Sequence, residues 1–488
     1  MSSLKSKVAN SVKHNSIAMI LTSGLQVVQL IVLGRILGPA VFGLLALVQI
    51  VIQFAQMYMD MGISEAIIQK EKTSKLALSS LYWFSIFVGF LLFIVLLLAA
   101  PLVALIFQQG ELKGIIQVIA VSFFIIPFGL QFQTIASKNL KFSKIALYDV
   151  LATFAGVTIT ISTAVFLKAG AWSLVYGHIG SSLIRTIPWV YLGFKNPETR
   201  PQFLFSWNEI KEYVWFGLYR LGTYTVTFFN TKIDQIVIGV IMGPAVLGFY
   251  SMAMNLIMQP IQKINPMINR VVFPVFSKIQ NDKKRMQKGY LFIINLLTSI
   301  NAPLFAGLVV LAPYLVPALL GEEWGEAVLI VQILSFYALF KALGNPSGSL
   351  IIAAGKVRWS FYWQLAQLFI VPAVIFFASM TGSIAIVAVA MASLRFVLYF
   401  VNYFIRIRHI IDDCLMELLK AIFTPIAHSA IMMAILHVII LQLAGVSNAN
   451  MVVINTAAGG LIYLLLVLLF QRKLVNDIKG FFVKKVLA

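Results

Sequence analysis

One cysteine, Cys414, stands in 488 residues. That excludes an intramolecular disulfide and any multi-cysteine metal site. The five histidines (His14, His178, His409, His428 and His437) show no HExxH spacing. No P-loop and no GxGxxG pattern occurs, so ATP or dinucleotide binding by a standard motif is excluded. Charge is scarce as well. Only 11% of residues are charged, against about 25% in soluble domains, which argues against a water-soluble fold. Acids are fewest: 17, against 37 Lys and Arg.

What is there is hydrocarbon. The chain is 60% hydrophobic. Apolar runs of about 20 residues, each long enough to cross a bilayer as a helix, recur throughout. The pattern predicts an all-α integral membrane protein of about fourteen spans. They cover 15–37, 43–62, 78–107, 114–136, 145–168, 171–194, 213–242, 246–268, 290–312, 326–346, 359–380, 383–405, 418–443 and 451–470. The first run is too long for a signal-peptide core and no A-x-A site follows it, so it reads as a retained span.

The net charge of +20 would suggest nucleic acid in a soluble protein. Here its placement decides otherwise. The N-terminus, the loops on the same side and the C-terminus hold 28 of the 37 cations; the opposite loops hold two, Lys113 and Lys168. That asymmetry puts both termini in the cytoplasm. The basic balance then reads as topology and contact with anionic lipids, not nucleic-acid binding.

Thirteen residues occur twice. Ile31 to Gly43 (IVLGRILGPAVFG) returns as Ile236 to Gly248 (IVIGVIMGPAVLG), with nine positions identical. Six spans separate equivalent helices, so the copies point the same way, as in a parallel repeat. The expected organisation is a six-helix bundle over 1–194, a cytoplasmic linker over 195–212, a second six-helix bundle over 213–405, and two further helices with a basic tail over 406–488. Arg406 to Lys420 and Ile478 to Ala488 read as basic amphipathic segments on the inner leaflet.

Residues three and four apart share a helix face. Gln49, Gln53, Gln56 and Asp60 form such a stripe on the second span. Asn255, Gln259 and Gln262 form its counterpart on the eighth. Arg220, Thr223, Thr227, Asn230 and Asp234 stripe the seventh, and Asn15, Thr22 and Gln29 the first. Single amides often serve as interhelical glue at about 0.6 kcal/mol. Four stripes at matching places point instead to a wet cavity shared by the halves.

Lys168 and Lys420, at span edges, count with the loops; seven further cations fall inside spans: Arg35, Arg185, Arg220, Lys232, Lys263, Lys341 and Arg395. Each would cost about 2.5–3.5 kcal/mol at mid-membrane, so they need partners or water. Arg35, Arg185 and Arg395 read as structural; Arg220, Lys263 and Lys341 as cavity cations. More cations than acids in a cavity favours an anionic ligand. Asp60 and Asp234 are the candidates for ion coupling.

Several segments resemble a known family: FGLL at Phe42 to Leu45, DMGISEAIIQK at Asp60 to Lys70, LYW at Leu81 to Trp83, Lys263 through INPMINRVVFPVFSKIQ to Gln280, and GNPSGSL at Gly344 to Leu350. The chain resembles the Wzx-type polysaccharide flippases of the multidrug/oligosaccharidyl-lipid/polysaccharide exporter superfamily, within its colanic-acid-exporter-like group. The resemblance implies two six-helix bundles working by alternating access. It implies an undecaprenyl-pyrophosphate-linked oligosaccharide as cargo, moved across the bacterial inner membrane for exopolysaccharide or lipopolysaccharide synthesis. It extends the pyrophosphate-holding role to Arg220, Lys263, Lys341 and Arg270. Asn265, Pro266, Arg270 and Pro274 match the family pattern directly.

No cofactor and no enzymatic activity are expected. Coupling to an H+ or Na+ gradient stays open, as does contact with a polymerase or glycosyltransferase. The rivals are a lipid II flippase, a drug or toxin antiporter of the same superfamily and, from another class, a membrane polymerase or glycosyltransferase. An antiporter of cationic drugs would want an acidic cavity. A polymerase would want acids on a large outer loop; Glu322, Glu323 and Glu326 read as a solvated surface, and Asp412-Asp413 lacks further metal ligands.

Overall fold

A computed structural model describes residues 2–443 and 445–471, with the backbone alone for 2–15, 264 and 266–271. It is helical throughout, with no strand among the described residues. The helices are α1 (Ser2–Asp60), α2 (Ile63–Gln69), α3 (Lys75–Ile106), α4 (Glu111–Ile125), α5 (Pro127–Lys138), α6 (Phe142–Phe166), α7 (Trp172–Lys195), α8 (Trp207–Ile241) and α9 (Gly243–Lys278). They continue with α10 (Lys283–Leu320), α11 (Gly325–Ala353), α12 (Val357–Ser379), α13 (Ile384–Asn402), α14 (Arg408–Ile411), α15 (Leu415–Gln442) and α16 (Asn448–Phe470). Two compact units result, the first ending at Gly248 and the second beginning at Phe249.

Nine helices among the described residues are long and apolar enough to cross a membrane, or ten if the α4–α5 pair, bent by 49°, counts as one. Pro127 explains that bend: its ring removes a helical N–H and clashes with the preceding turn. α7, α8 and α9, of 24, 35 and 36 residues, are long enough as well. They carry the embedded cations Arg185, Arg220, Lys232 and Lys263 and are not among the nine. Large side chains such as Leu98, Leu105 and Phe166 are 74%, 74% and 81% exposed. Apolar surface on that scale needs lipid rather than water around it.

The duplicated segment sets the geometry of the first unit. Each copy holds a Gly-Pro pair, and a residue before proline is pushed out of the helical region. Glycine can answer with a positive φ. Gly38 (φ 68°) breaks α1 there, and Gly243 (φ 83°) separates α8 from α9. The two copies then pack backbone to backbone. A Cβ on Gly43 would lie 1.7 Å from the Pro244 carbonyl oxygen, and one on Gly248 would lie 1.9 Å from that of Pro39. The contact is reciprocal, and only hydrogen fits at either glycine.

In the second unit, α10 is capped by Asp282, whose side chain accepts from the Arg285 amide at 3.0 Å. α13 runs through a π-helical turn (Tyr403–Ile407) into α14. The Asp412-Asp413 pair is held by cations: Lys283 lies 2.9 Å from Asp412 and Arg408 3.1 Å from Asp413. Tyr403 donates to Asp413 at 2.8 Å and accepts from the Cys414 amide at 2.7 Å. The segment 406–420 is therefore a tied corner entering α15, and the basic tail 478–488 lies outside the described residues.

Candidate functional site

The DMGISEA segment folds as a reversal. α1 ends at Asp60, Met61 (φ 46°) and Gly62 (φ 70°) turn the chain, and α2 starts at Ile63. Asp60 Oδ1 accepts from the Ser64 hydroxyl at 2.5 Å and, weakly, from its amide at 3.4 Å. The Ser64 hydroxyl also meets Thr134 Oγ1 of α5 at 2.9 Å. Ile63, Ala66 and Ile67 bury against Leu81, Ile210, Tyr213 and Val214. That packing aims Glu65 along α8.

Glu65 meets Arg220. The guanidinium donates from Nε at 2.8 Å and from Nη2 at 3.1 Å to its two carboxylate oxygens. Such two-pronged pairs fix orientation as well as charge. Tyr224 closes the cluster: its hydroxyl accepts from Arg220 Nη2 at 2.9 Å and donates to Glu65. Both charged side chains are about two-fifths exposed. α2 reaches α8 this closely because Gly217 has no side chain; a Cβ there would lie 2.0 Å from the Met61 carbonyl oxygen.

A second feature is a polar cavity of about 460 Å³ inside the first unit. α1 contributes Gln26, Gln29, Gln49 and Gln56, α5 contributes Gln133, α6 contributes Thr153 and Thr160, and α7 contributes His178, Ser182 and Arg185. Arg185 Nε lies 3.2 Å from Asp149, and His178 Nε2 is 3.3 Å from the Ser122 hydroxyl. The volume lies in the usual range for small-molecule sites.

The structure thus brings Gln49 and Gln56 together in one cavity. Gln53 and Asp60 of the same stripe do not line it. On α8, Thr227 is exposed and returns its hydroxyl to the Thr223 carbonyl at 2.9 Å. Asn230 is half-buried, while Asp234 is buried and accepts from the Gln235 amide at 2.8 Å. In the second unit, Asn255 and Gln262 are exposed, and Gln259 and Lys263 half-buried. Lys341 Nζ donates to the Tyr337 hydroxyl at 3.1 Å and sits 5.3 Å from that ring's centre. Asn265 is buried, its amide donating to the Ala342 carbonyl at 3.3 Å. α9 continues past both Pro266 and Pro274 to Lys278; the side chains of Pro266 and Arg270 lie outside the described residues.

Sequence reasoning passed over Glu65, although it lies in a quoted motif. It also passed over Arg185 as a cavity residue. A signal for the latter existed: His178, Ser182 and Arg185 follow the same +4, +3 spacing as the recognised stripes. Among the described residues no group of three His, Cys, Asp or Glu side chains is placed to hold a metal ion.

A family model described as "Polysaccharide biosynthesis protein" matches residues 32–329, more than half of the chain. The chain belongs to this family. Within curated proteins it is 30% identical to the lipopolysaccharide biosynthesis protein WzxC of Escherichia coli K12, over 87% of this chain and 85% of that one. It is also 30% identical to the teichuronic acid biosynthesis protein TuaB of Bacillus subtilis 168, over 96% of each. Its fold is similar to that of the lipid II flippase MurJ in an inward closed conformation, with a TM-score of 0.77 and 16% identity, over 94% of this chain and 99% of that one. With its apolar helices, this family member is a multi-pass integral membrane protein.

Proposed function

We propose that this chain flips an undecaprenyl-pyrophosphate-linked oligosaccharide from the cytoplasmic to the periplasmic leaflet of a bacterial inner membrane, by alternating access. The observation that carries the reading is an amide-lined cavity in a membrane protein of the polysaccharide biosynthesis family. A sugar head group cannot cross about 30 Å of hydrocarbon unaided. Glutamine amides replace water around its hydroxyls, and the polyprenyl tail stays in lipid.

The finer arrangement follows the sequence reading. The reading of fourteen spans takes α1 as two at Gly38, the bent α4–α5 pair as one, and α7, α8 and α9 as spans beside the apolar helices. The proposed bundles are 1–194 and 213–405, joined by the linker 195–212 and followed by two further helices in 406–488, with both termini cytoplasmic. In this reading Arg220, Lys263, Arg270 and Lys341 serve the pyrophosphate. Glu65 holds Arg220 in place until the cargo's diphosphate competes for it. Gln49, Gln53, Gln56, Thr227, Asn230, Asn255, Gln259 and Gln262 serve the sugar. Asp60 and Asp234 are the proposed coupling sites if an H+ or Na+ gradient drives the cycle. A polymerase or glycosyltransferase partner would dock on helices or short loops. Catalysis has no part in the proposal.

The test is a liposome assay with an undecaprenyl-pyrophosphate-linked oligosaccharide, measuring how fast the sugar becomes accessible from the other side. The parent accelerates transfer, Arg220→Ala and Lys263→Ala lose the acceleration, and Lys113→Ala, exposed in the first turn of α4, keeps it. Acceleration unaffected by the first two variants discards these site residues. No acceleration in vesicles holding folded protein and an imposed ion gradient overturns the cargo and makes lipid II the next one to assay.

A further inference from the structure

A second cleft opens in the first unit, away from the amide-lined cavity. It encloses about 260 Å³ where the end of α5, the start of α6 and the end of α7 meet. Lys141 stands at the turn into α6, Lys144 in that helix's first turn and Lys195 at the last residue of α7. All three line the cleft and are exposed. No carboxylate lines it, and none of the ion pairs among the described residues uses these lysines. Three like charges facing one space repel one another, and an anion would relieve them.

The walls say more. Trp189 is 3% exposed and lines the cleft, and its Nε1–H has no acceptor. A buried indole N–H normally finds a partner, so this one fits a ligand bearing oxygen acceptors. Phe132, Ile135 and Leu192 form an apolar part of the wall, and Asn139, Asn196 and Thr199 a polar part. Tyr148 packs edge-on against Trp189 at 5.2 Å, and Tyr191 lies under Lys195 at 5.7 Å. Aromatic rings beside lysines at helix ends mark the level of lipid headgroups.

We infer that this cleft binds the phosphate-bearing headgroup of an anionic lipid. Lysines supply the charge, Trp189 a hydrogen bond, and the apolar wall receives the start of the hydrocarbon. The volume lies below the usual range for drug-sized ligands, which fits a headgroup and excludes a whole oligosaccharide. The phosphate has two possible sources, a membrane phospholipid or the diphosphate of a polyprenyl carrier. The site stands independently of the transport reading, because its test is binding alone.

The full-length protein, purified in a maltoside detergent, is titrated with short-chain phosphatidylglycerol, with phosphatidylcholine as the zwitterionic reference, and with undecaprenyl diphosphate. Native mass spectrometry reads the bound lipid. Phosphatidylglycerol or the diphosphate binds more tightly than phosphatidylcholine. Lys144→Gln and Lys195→Gln each weaken that binding about fivefold, the factor corresponding to about 1 kcal/mol per lysine near an anionic surface. Lys72→Gln, an exposed cation in another loop, leaves it unchanged. Trp189→Phe keeps an aromatic side chain, removes the N–H and weakens binding severalfold; its melting temperature, read alongside, separates that loss from the packing lost at this buried position. Whichever lipid loses affinity in the lysine variants is the ligand's source. Equal binding of every lipid to parent and variants overturns the site, as does an equal loss in Lys72→Gln.

Discussion

Arg220 and Lys341 are alike on paper and different in the fold. Both are cations in the interior of long helices, α8 and α11, one in each unit. Arg220 faces a carboxylate in a two-pronged pair, with a tyrosine hydroxyl between them. Lys341 has a tyrosine hydroxyl and ring, and no ion pair among the described residues. The first cation is neutralised within the protein and the second keeps its charge for something else. An embedded charge costs least when paired. Lys341 therefore has more to gain from an anionic ligand, while Arg220 must first give up Glu65.

The strongest way to break this comparison is to remove each cation and then Glu65. Losing a hydrogen bond to a charged group costs about 1.5–3 kcal/mol, roughly a tenfold to hundredfold loss. Transport should fall by the upper end of that range in Lys341→Ala and by the lower end in Arg220→Ala, whose charge Glu65 already offsets. Glu65→Gln frees Arg220 and should tighten binding of a diphosphate lipid while slowing turnover, since the competing partner for release is gone. A titration beside the liposome assay reads both quantities. Equal loss of binding in Glu65→Gln and Arg220→Ala would make the pair a structural clasp rather than a competitor for cargo.

A smaller change sharpens the same point without touching a charge. Gly217→Ala places a methyl 2.0 Å from the Met61 carbonyl oxygen. The turn carrying α2 must shift, at about 1–3 kcal/mol for overpacking. Glu65 moves with it, so Arg220 loses alignment while keeping its charge. The expected result is a lower melting temperature with a Glu65→Gln-like binding profile. Gly222→Ala, with nothing within 4 Å of its added methyl, should do neither. Indistinguishable melting of the two variants would remove the close approach as the reason α2 and α8 hold register.

Much of this architecture was legible before any coordinates. Long apolar runs force helices because unpaired backbone groups are too costly in lipid. The Gly-Pro pairs had to break helices, as Gly38 and Gly243 do. The common face of Gln49 and Gln56 was legible from spacing alone. Glu65 with Arg220 was not, because 155 residues separate them and local periodicity carries no information at that range. Arg185 lay between these cases. Its stripe with His178 and Ser182 could be read, but it falls near a span end and outside the four striped helices. Its partner Asp149, on α6, again required the fold.

The smallest expected effect comes from a third pair, which repeats the Arg220 chemistry in water. Lys70 lies 2.6 Å from Glu212, with side chains 43% and 71% exposed. The hydrogen bond from Lys70 holds the Glu212 carboxyl below its ordinary value of 4.5. The same bond raises Lys70 above its ordinary 10.5. A lowered carboxyl stabilises above its ordinary value and loses that contribution as the pH falls through the lowered one. A raised lysine stabilises below its ordinary value and loses it as the pH climbs through the raised one. The pair therefore acts across neutral pH and fails at both extremes. Exposure leaves it open to screening, and at about 1 M salt the Debye length is only about 3 Å. Glu212→Gln should lower the melting temperature slightly at pH 7 and low salt, and not at all in molar salt or well below pH 4.5. If Glu65→Gln loses its effect in molar salt as completely as Glu212→Gln does, then Arg220 is solvated like Lys70, and its contrast with Lys341 reduces to exposure alone.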